Sequence, residues 1–323
     1  MILSVLLFAV GLVLLIKGGD WFVDGATGIA KRFNLPDIVV GATVVSIGTT
    51  LPEVMVSTTG ALAGSGAMAY GNAIGSIICN TALIAAISIS CNPGPVNVKS
   101  MKTPAIFFFG AAALYCIAAY GLGTFPRWLG FIMLTVFAVY MVLTVRNGLK
   151  NPDTAAEEEE DSKPKALWQE LLLLVVGAAV IAVGADLLVD HGQIIAKELG
   201  VPETVIALLF VALGTSLPEL VTTLTSLKKG RASLGVGNVI GANVFNLVLV
   251  SGVAVSLAPF DVPVENELLN TGMNLSLVFD IPVMLLVMSL MIFPALATKK
   301  LGRWQGIALL GIYAAFCVLQ FVL

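Results

Sequence analysis

The sequence predicts an all-α polytopic membrane protein, with ten transmembrane helices arranged as two inverted five-helix repeats and both termini outside. Long apolar segments, a gapless internal repeat and a one-sided distribution of lysine and arginine lead to this prediction. Of the 323 residues, 58% are hydrophobic and only 11% are charged, whereas a soluble domain carries about a quarter charged residues. Apolar runs long enough to cross a bilayer therefore favour an integral membrane protein over a soluble domain.

Ten apolar stretches, separated by short polar or Gly- and Pro-containing breaks, are the predicted membrane spans. One connection is strongly polar: the acidic, proline-flanked segment 151–167, which is typical of a solvated cytoplasmic linker. This linker divides the chain into a first five-helix repeat at 1–150 and a second at 168–323. The spans lie near residues 2–24, 37–63, 70–91, 104–121, 128–147, 168–192, 203–227, 235–259, 272–293 and 303–322.

Lysine and arginine residues indicate the orientation of these spans, because they accumulate in cytoplasmic loops. If the N-terminus is outside, the inward loops hold fourteen of the 17 basic residues. The outward loops then hold only Arg127 and Lys197, and Lys17 lies within the first span. This asymmetry predicts that both termini face outward.

An internal repeat relates the two halves at a constant offset. The motif GTTLPE at 48–53 recurs 166 residues later as GTSLPE at 214–219. Because each half has five predicted spans, the second half enters the membrane from the opposite side. Inverted repeats of this kind are typical of secondary transporters, which hold their substrate near the membrane midplane. The same offset maps Gly11 to Gly177, Gly18 to Gly184, Asp20 to Asp186, Asp24 to Asp190, Asn72 to Asn238 and Asn80 to Asn246.

Each PE motif predicts an opened helical turn that carries a carboxylate. Pro52 has no N–H, so the carbonyl of Gly48 loses its helical partner. Freed backbone groups at membrane depth are tolerated where they line a cavity. Glu53 shares a helix face with Thr49 and Thr50 at i−4 and i−3. The second half repeats this patch with Glu219, Thr215 and Ser216.

The helix after each motif, GNAIGSIICN or GNVIGANVFN, adds a row of amides. In the first half Asn72, Ser76 and Asn80 are four residues apart and form one polar face; the second half keeps Asn238 and Asn246 with an alanine between them. For the first amide of each row, N-capping of the helix competes evenly with a role in function. For the last amide, deep in an apolar run, a functional role is favoured.

The residue types in these patches indicate the ion. A carboxylate at the midplane costs about 3 kcal/mol or more, and no basic residue lies nearby in the sequence, so a bound cation or a proton must neutralise it. Carboxylate, amide, hydroxyl and carbonyl oxygens suit Ca²⁺, Na⁺ and Mg²⁺ rather than Zn²⁺ or copper. Ca²⁺ is favoured over Mg²⁺, which sheds water reluctantly. Na⁺ is close to Ca²⁺ in size, which makes competition for one site natural.

With these paired motifs, the sequence resembles the calcium/cation antiporter superfamily, and most closely its compact prokaryotic Na⁺/Ca²⁺ exchangers. The resemblance covers essentially the whole chain, with repeat motifs at 41–58 and 71–84 in the first half and at 207–224 and 237–250 in the second. It implies several Na⁺ sites around one Ca²⁺ site, and alternating access by sliding of the first and sixth helices. The ion ligands that it implies are Glu53 and Glu219 as the principal carboxylates, Thr49, Thr50, Ser76, Asn80, Thr215, Ser216 and Asn246, and the backbone carbonyls of Ser46 and Ala212.

Two positions depart from the family pattern. Ala242 stands where some members have serine, and Asn246 where some have aspartate. The missing hydroxyl and the missing titratable charge leave open the number and placement of the monovalent-ion sites. The carboxylate pair is intact, so divalent binding is the firmer expectation.

These features together predict a secondary active antiporter that moves Ca²⁺ outward and Na⁺ inward across the cytoplasmic (inner) membrane of a prokaryote. Ca²⁺/H⁺ exchange and K⁺-dependent exchange are the alternatives, and a cation channel is less favoured. No nucleophile–base pair or phosphate loop indicates an enzyme. The net charge is −3 without a basic tract, which argues against nucleic acid. The expected partners are Ca²⁺, Na⁺ and the lipid bilayer, with no cofactor and no obligatory protein partner.

Overall fold

The computed structural model describes residues 2–150, 166–199, 214–263 and 274–322. Within these ranges the chain is helical apart from four strands of two residues each: β1 Gly94–Pro95, β2 Thr124–Phe125, β3 Phe260–Asp261 and β4 Lys300–Leu301. The helices are α1 Ile2–Arg32, α2 Asp37–Thr49, α3 Leu51–Leu62, α4 Gly66–Cys91, α5 Val98–Leu122, α6 Arg127–Lys150, α7 Leu167–Glu198, α8 Leu217–Lys228, α9 Ala232–Leu257, α10 Ser276–Thr298 and α11 Arg303–Val322.

The described helices include seven that are long and apolar enough to cross a membrane, or eight if α2 and α3 form one bent span. Their outer surfaces carry large exposed apolar side chains, such as Leu3 and Val13 on α1, which suits contact with lipid. The predicted span 37–63 is the bent pair α2–α3, whose axes differ by 46°. Most of the first half of the predicted span 203–227 lies outside the described residues. The count of ten spans, the sides of the termini and the repeat boundaries therefore stay predictions.

The strand pairs reveal how the halves are oriented. β1 pairs with β4 and β2 pairs with β3, both antiparallel. β1 and β2 lie at the two ends of α5, whereas β3 and β4 lie at the two ends of α10, its equivalent in the repeat. The beginning of α5 is thus beside the end of α10, and the end of α5 is beside the beginning of α10. Equivalent helices run in opposite directions, as expected for inverted halves.

Helices α1 and α7 show the same relation along a close contact. A Cβ atom at Gly11 would lie 2.9 Å from the carbonyl oxygen of Gly184, and one at Gly177 would lie 2.9 Å from that of Gly18. Because Gly177 and Gly184 are the repeat equivalents of Gly11 and Gly18, the two contacts are symmetric and the helices antiparallel. Glycine permits this approach of two backbones, which explains why these positions recur in both halves.

Helices α4 and α9 form the centre of the molecule. In their apolar windows 72% and 83% of the residues are buried, against 22% in α1 and in α7. The central pair carries the predicted amide rows, and the peripheral pair carries the paired aspartates. The arrangement therefore encloses the candidate ligands in protein and leaves α1 and α7 at the side of the bundle.

Candidate ion-binding site

The first PE motif is a helix break, as predicted, and the second begins a helix with the same geometry. Thr50 and Ser216 adopt nearly the same backbone angles, with φ of −87° and −88° and ψ of −2° and 4°, and a new helix begins directly after each. Each proline thus lies in a first helical turn, where its missing N–H removes no intrahelical bond. Glu53 and Glu219 also lie in these first turns. A helix N-terminus favours negative charge, so each break helps to stabilise its carboxylate.

The two carboxylates come together in the interior. Both side chains are fully buried, and their carboxyl groups are close enough to repel each other electrostatically. Thr50 Oγ1 lies 3.5 Å from Glu219 Oε1. In the part of the chain that the structure describes, both oxygens of Glu53 and Oε2 of Glu219 have no hydrogen-bond partner. Buried charge of this kind is very costly unless a cation or protons compensate it.

The last amide of each row begins a widened, π-helical turn. These turns span Asn80–Ala85 in α4 and Asn246–Val250 in α9, and such turns are frequent at functional sites. Both asparagine side chains are fully buried, and within the described ranges neither the oxygen nor the nitrogen of either amide has a partner. Their oxygens are thus free to bind a cation.

The helices cross between the halves at these turns. Helix α3, which carries Glu53, contacts the π-helical turn that begins at Asn246, and α8, which carries Glu219, contacts the turn at Asn80. Each carboxylate of one repeat is therefore brought toward the amide of the other. The structure places no hydrogen bond between these amides and the carboxylates among the described residues. Ser76 is buried on the Asn80 face of α4.

The remaining predicted ligands lie around the breaks. Thr49 and Ser216 are buried at 1% exposure, and Thr215 is half-buried. The Ser46 carbonyl accepts the Thr50 N–H at 3.0 Å, so one of its lone pairs is left for an ion. Ala212 lies outside the described residues.

The capping interpretation of the first amides is wrong. Helix α4 begins at Gly66, with Ser65 as its N-cap, and α9 begins at Ala232, so Asn72 and Asn238 lie six residues inside their helices. Their side chains instead join the two repeats. Asn238 Oδ1 accepts hydrogen bonds from Ser46 Oγ at 3.2 Å and from Thr49 Oγ1 at 3.1 Å. Asn72 Oδ1 accepts one from Thr215 Oγ1 at 3.3 Å.

A further buried polar cluster was not predicted. Asn243 Nδ2 donates to Thr81 Oγ1 at 2.7 Å and contacts Met288 Sδ at 3.1 Å, which joins α9, α4 and α10. Neither polar residue recurs at the repeat offset, because Ile77 and Leu247 occupy the equivalent positions. The repeat, which led to the other candidates, therefore held no signal for this cluster.

Comparison with known proteins identifies the family of this chain. Residues 3–146 and 170–322 match the family described as sodium/calcium exchanger protein. The uncharacterized membrane protein MJ0091 of Methanocaldococcus jannaschii is 35% identical over 97% of this chain and 96% of its own length. The sodium/calcium exchanger MaX1 of Methanosarcina acetivorans is 28% identical over 98% of each chain.

Solved structures show the same fold. A structure of the sodium-calcium exchanger NCX_Mj, soaked with Na⁺ and Sr²⁺, superposes with a TM-score of 0.79 at 33% identity, over 98% of each chain. The fold is thus shared with a membrane exchanger over nearly the whole length. The family is one of transporters, with archaeal and bacterial relatives that span most of this chain. This chain belongs to the sodium/calcium exchanger family.

Proposed function

We propose that this protein is a secondary active antiporter that moves Ca²⁺ outward and Na⁺ inward across the cytoplasmic membrane of a prokaryote. The observation that carries the proposal is the pair of buried carboxylates, Glu53 and Glu219, one from each repeat, with oxygens that lack partners in the described structure. Two carboxylates balance one divalent cation. The family, and the names of relatives such as MaX1, support the identity of the transported ions.

The oxygen donors around the pair fit Ca²⁺. Ca²⁺ accepts six to eight oxygen ligands in flexible geometry. The two carboxylates, the hydroxyls of Thr49 and Thr215, and neighbouring carbonyls supply donors of this type. The unpaired amides of Asn80 and Asn246 supply oxygens at the adjacent π-helical turns. We assign these amides, together with Ser76, Thr50, Ser216 and the carbonyls of Ser46 and Ala212, to the wider ligand set that Na⁺ uses when it replaces Ca²⁺.

Exchange follows from the cost of bare charge. When the site is empty, two unneutralised carboxylates would have to pass a hydrophobic barrier as access changes, which is unfavourable in a low-dielectric interior. Bound Ca²⁺ removes this cost, and so does bound Na⁺. The site therefore changes sides only when occupied, which couples the two ions. The long α1–α7 pair, at the side of the bundle, is the element that we propose to slide.

The experiment is reconstitution of the purified protein in liposomes, with ⁴⁵Ca²⁺ uptake measured under imposed Na⁺, K⁺ and H⁺ gradients. We expect an outward Na⁺ gradient to drive Ca²⁺ uptake, with no requirement for K⁺ or a pH gradient. Uptake driven by a pH gradient alone would replace the proposal with Ca²⁺/H⁺ exchange. Na⁺-driven uptake that also requires K⁺ would replace it with K⁺-dependent exchange. Ca²⁺ flux that needs no counter-ion would contradict antiport and favour a channel.

A further inference from the structure

The hydroxyl of Thr49 has acceptors from the opposite repeat near it. Its Oγ1 is 3.1 Å from Asn238 Oδ1, and the Glu219 carboxylate is a second acceptor nearby, since Oγ1 of the adjacent Thr50 is 3.5 Å from Glu219 Oε1. Thr49 is 1% exposed and Asn238 is fully buried. A hydroxyl has one hydrogen atom and two acceptor lone pairs. It can donate its hydrogen to Asn238 or to Glu219, but not to both at once.

The presence of a cation decides between these two orientations. A cation on the Glu219 carboxylate repels a hydrogen atom that points toward it and attracts the oxygen lone pairs. With Asn238 accepting the hydrogen, the lone pairs of Thr49 face the ion. Without the cation, the hydroxyl can turn and donate to the carboxylate, which partly compensates its charge.

We propose that Asn238 is a positioning residue that turns the Thr49 hydroxyl into an ion ligand, and that Asn72 does the same for Thr215. The proposal rests on the proposed function, because it concerns ligands of that site. Neither asparagine is itself placed on the ion. Each acts by accepting the hydrogen atom of a threonine from the other repeat.

The two amides are held in place for this role. Asn72 Nδ2 donates to Ser57 Oγ at 2.8 Å and to the Glu53 carbonyl at 3.3 Å. These two bonds place the nitrogen and hence direct Oδ1 of Asn72 toward Thr215. The backbone around Asn238 is held by the close approach of α2 and α9, since a Cβ atom at Gly41 would lie 2.7 Å from Asn238 N.

A packing role alone is the competing explanation, because asparagine hydrogen bonds between membrane helices also stabilise helix association. The two explanations differ in what they change. Loss of packing lowers the stability of the folded protein and leaves the Ca²⁺ affinity of the remaining folded molecules unaltered. Loss of positioning weakens Ca²⁺ binding, and does so only while the threonine hydroxyl is present.

The test is a double-mutant cycle on Ca²⁺ affinity, with Asn238→Leu, Thr49→Val and the double variant. Affinity is read by calorimetric titration of the detergent-purified protein with Ca²⁺ and by the KM for uptake into liposomes. We expect each single variant to weaken affinity about fivefold, the worth of one hydrogen bond. The double variant should be no weaker than Thr49→Val. As the matched control, Asn238→Leu combined with Thr215→Val should show both losses, about 25-fold.

Independent losses for Asn238→Leu and Thr49→Val, or an unchanged affinity with a lower melting temperature, would overturn the proposal. If Asn238→Leu does not fold, the cycle of Asn72→Leu with Thr215→Val gives the same decision in the other half, where Thr215 is only half-buried. Failure of the proposed function is seen separately, as wild-type protein that binds Ca²⁺ but shows no Na⁺-driven uptake. The calorimetric cycle remains readable in that case.

Discussion

Beside Glu53 the side-chain nitrogen of the first asparagine of the amide row is paired with a hydroxyl of the same repeat, whereas the equivalent nitrogen in the Glu219 repeat has no such partner among the described residues. Asn72 Nδ2 donates to Ser57 Oγ at 2.8 Å in the first half. In the second half the equivalent atoms, Asn238 Nδ2 and Thr223 Oγ1, are both buried without a partner in the described residues. The repeat thus duplicates the carboxylate and the threonine–asparagine hydrogen bond between the halves, but it does not duplicate the bond from the asparagine nitrogen to a hydroxyl of its own half.

The second half also carries more hydroxyls on the helix of its glutamate. Thr222 and Ser226 on α8 are fully buried, and their oxygens lack described partners; the equivalent residues on α3 are Val56 and Gly60. A buried hydroxyl without a partner is costly. The first half instead has the extra hydroxyl one helix later, where Ser76 corresponds to Ala242. The two halves thus surround a symmetric pair of carboxylates with unequal sets of neutral polar groups.

The largest effect is expected when one of the two carboxylates is removed. Glu53→Gln or Glu219→Gln leaves one negative charge to face a divalent ion. We expect Ca²⁺ uptake to fall at least about 100-fold, because Ca²⁺ loses one of its buried carboxylate partners, and breaking a buried pair of opposite charges costs about 3 kcal/mol or more. Both variants should fold, because these carboxylates make few hydrogen bonds in the native protein. The measurements are ⁴⁵Ca²⁺ uptake and melting temperature.

Asp261→Asn, an exposed position in β3, is the charge-matched control and should transport normally. Wild-type uptake in either glutamine variant would refute the site. A large loss of Ca²⁺ uptake in only one of them would show that the two glutamates are functionally unequal, as the polar groups around them are.

The next effect concerns the contact between the halves. Gly237 of α9 lies against the backbone of Ile38 in α2, with no space for a Cβ atom. We expect Gly237→Ala to destabilise the protein by about 1–3 kcal/mol, as other overpacked cores do, and to lower its melting temperature. The control is Gly110→Ala in α5, where no described atom from outside its own stretch of helix lies within 4 Å of the added Cβ. Equal melting temperatures for the two variants would contradict the close α2–α9 contact.

A smaller effect is expected from a substitution that gives both halves the same hydroxyl at this position. Ala242→Ser adds the hydroxyl that Ser76 supplies in the first half, and we expect it to lower the KM for Na⁺ about fivefold, the worth of one added polar contact. Ser76→Ala should raise that KM by a similar factor. Both are measured as the Na⁺ dependence of Ca²⁺ efflux from liposomes. If neither variant moves the KM for Na⁺, this position is not part of a Na⁺ site.

The smallest effect is expected at the paired aspartates. Lys229 contacts Asp24 at 2.6 Å and Asp20 at 3.7 Å, and the described residues show no equivalent lysine contact at Asp186 and Asp190. Because these groups are partly exposed, Lys229→Gln should cost no more than about 1 kcal/mol. The loss should shrink in high salt, which screens exposed pairs. Lys228→Gln, at the adjacent exposed position, is the control in the same melting experiment, and an equal or larger loss there would contradict a specific pair.

Much of this structure could be predicted because it depends on residue types and spacings that are local in the sequence. The span 37–63 was predicted as one segment, and Pro52 predicted the break within it. The structure adds the 46° bend. Glu53 and Glu219 were paired through the repeat offset, since a duplication copies residue types along with spacing. The family assignment followed from the same motifs and is confirmed by the family match over both halves.

The roles of Asn72 and Asn238 could not be predicted in this way. A polar residue in a glycine-rich segment is compatible with a helix start, but α4 and α9 begin six residues earlier, and Ser65 is the N-cap of α4. Their partners lie 143 and 189 residues away in the chain. The Asn243–Thr81 bond joins residues 162 apart and breaks the repeat. No local pattern encodes these separations.

By itself the sequence determined the membrane class, the inverted duplication and the two buried carboxylates. The bilayer requires long apolar segments, which composition reveals, and the duplication repeats residue types at a constant spacing. The tertiary structure alone decided which polar groups are paired and which lack a partner among the described residues. That depends on how closely distant helices approach, which glycines such as Gly41 and Gly237 permit at particular points. Two repeats with the same GT[T/S]LPE pattern therefore share the threonine–asparagine bond but differ in other hydrogen bonds near their glutamates.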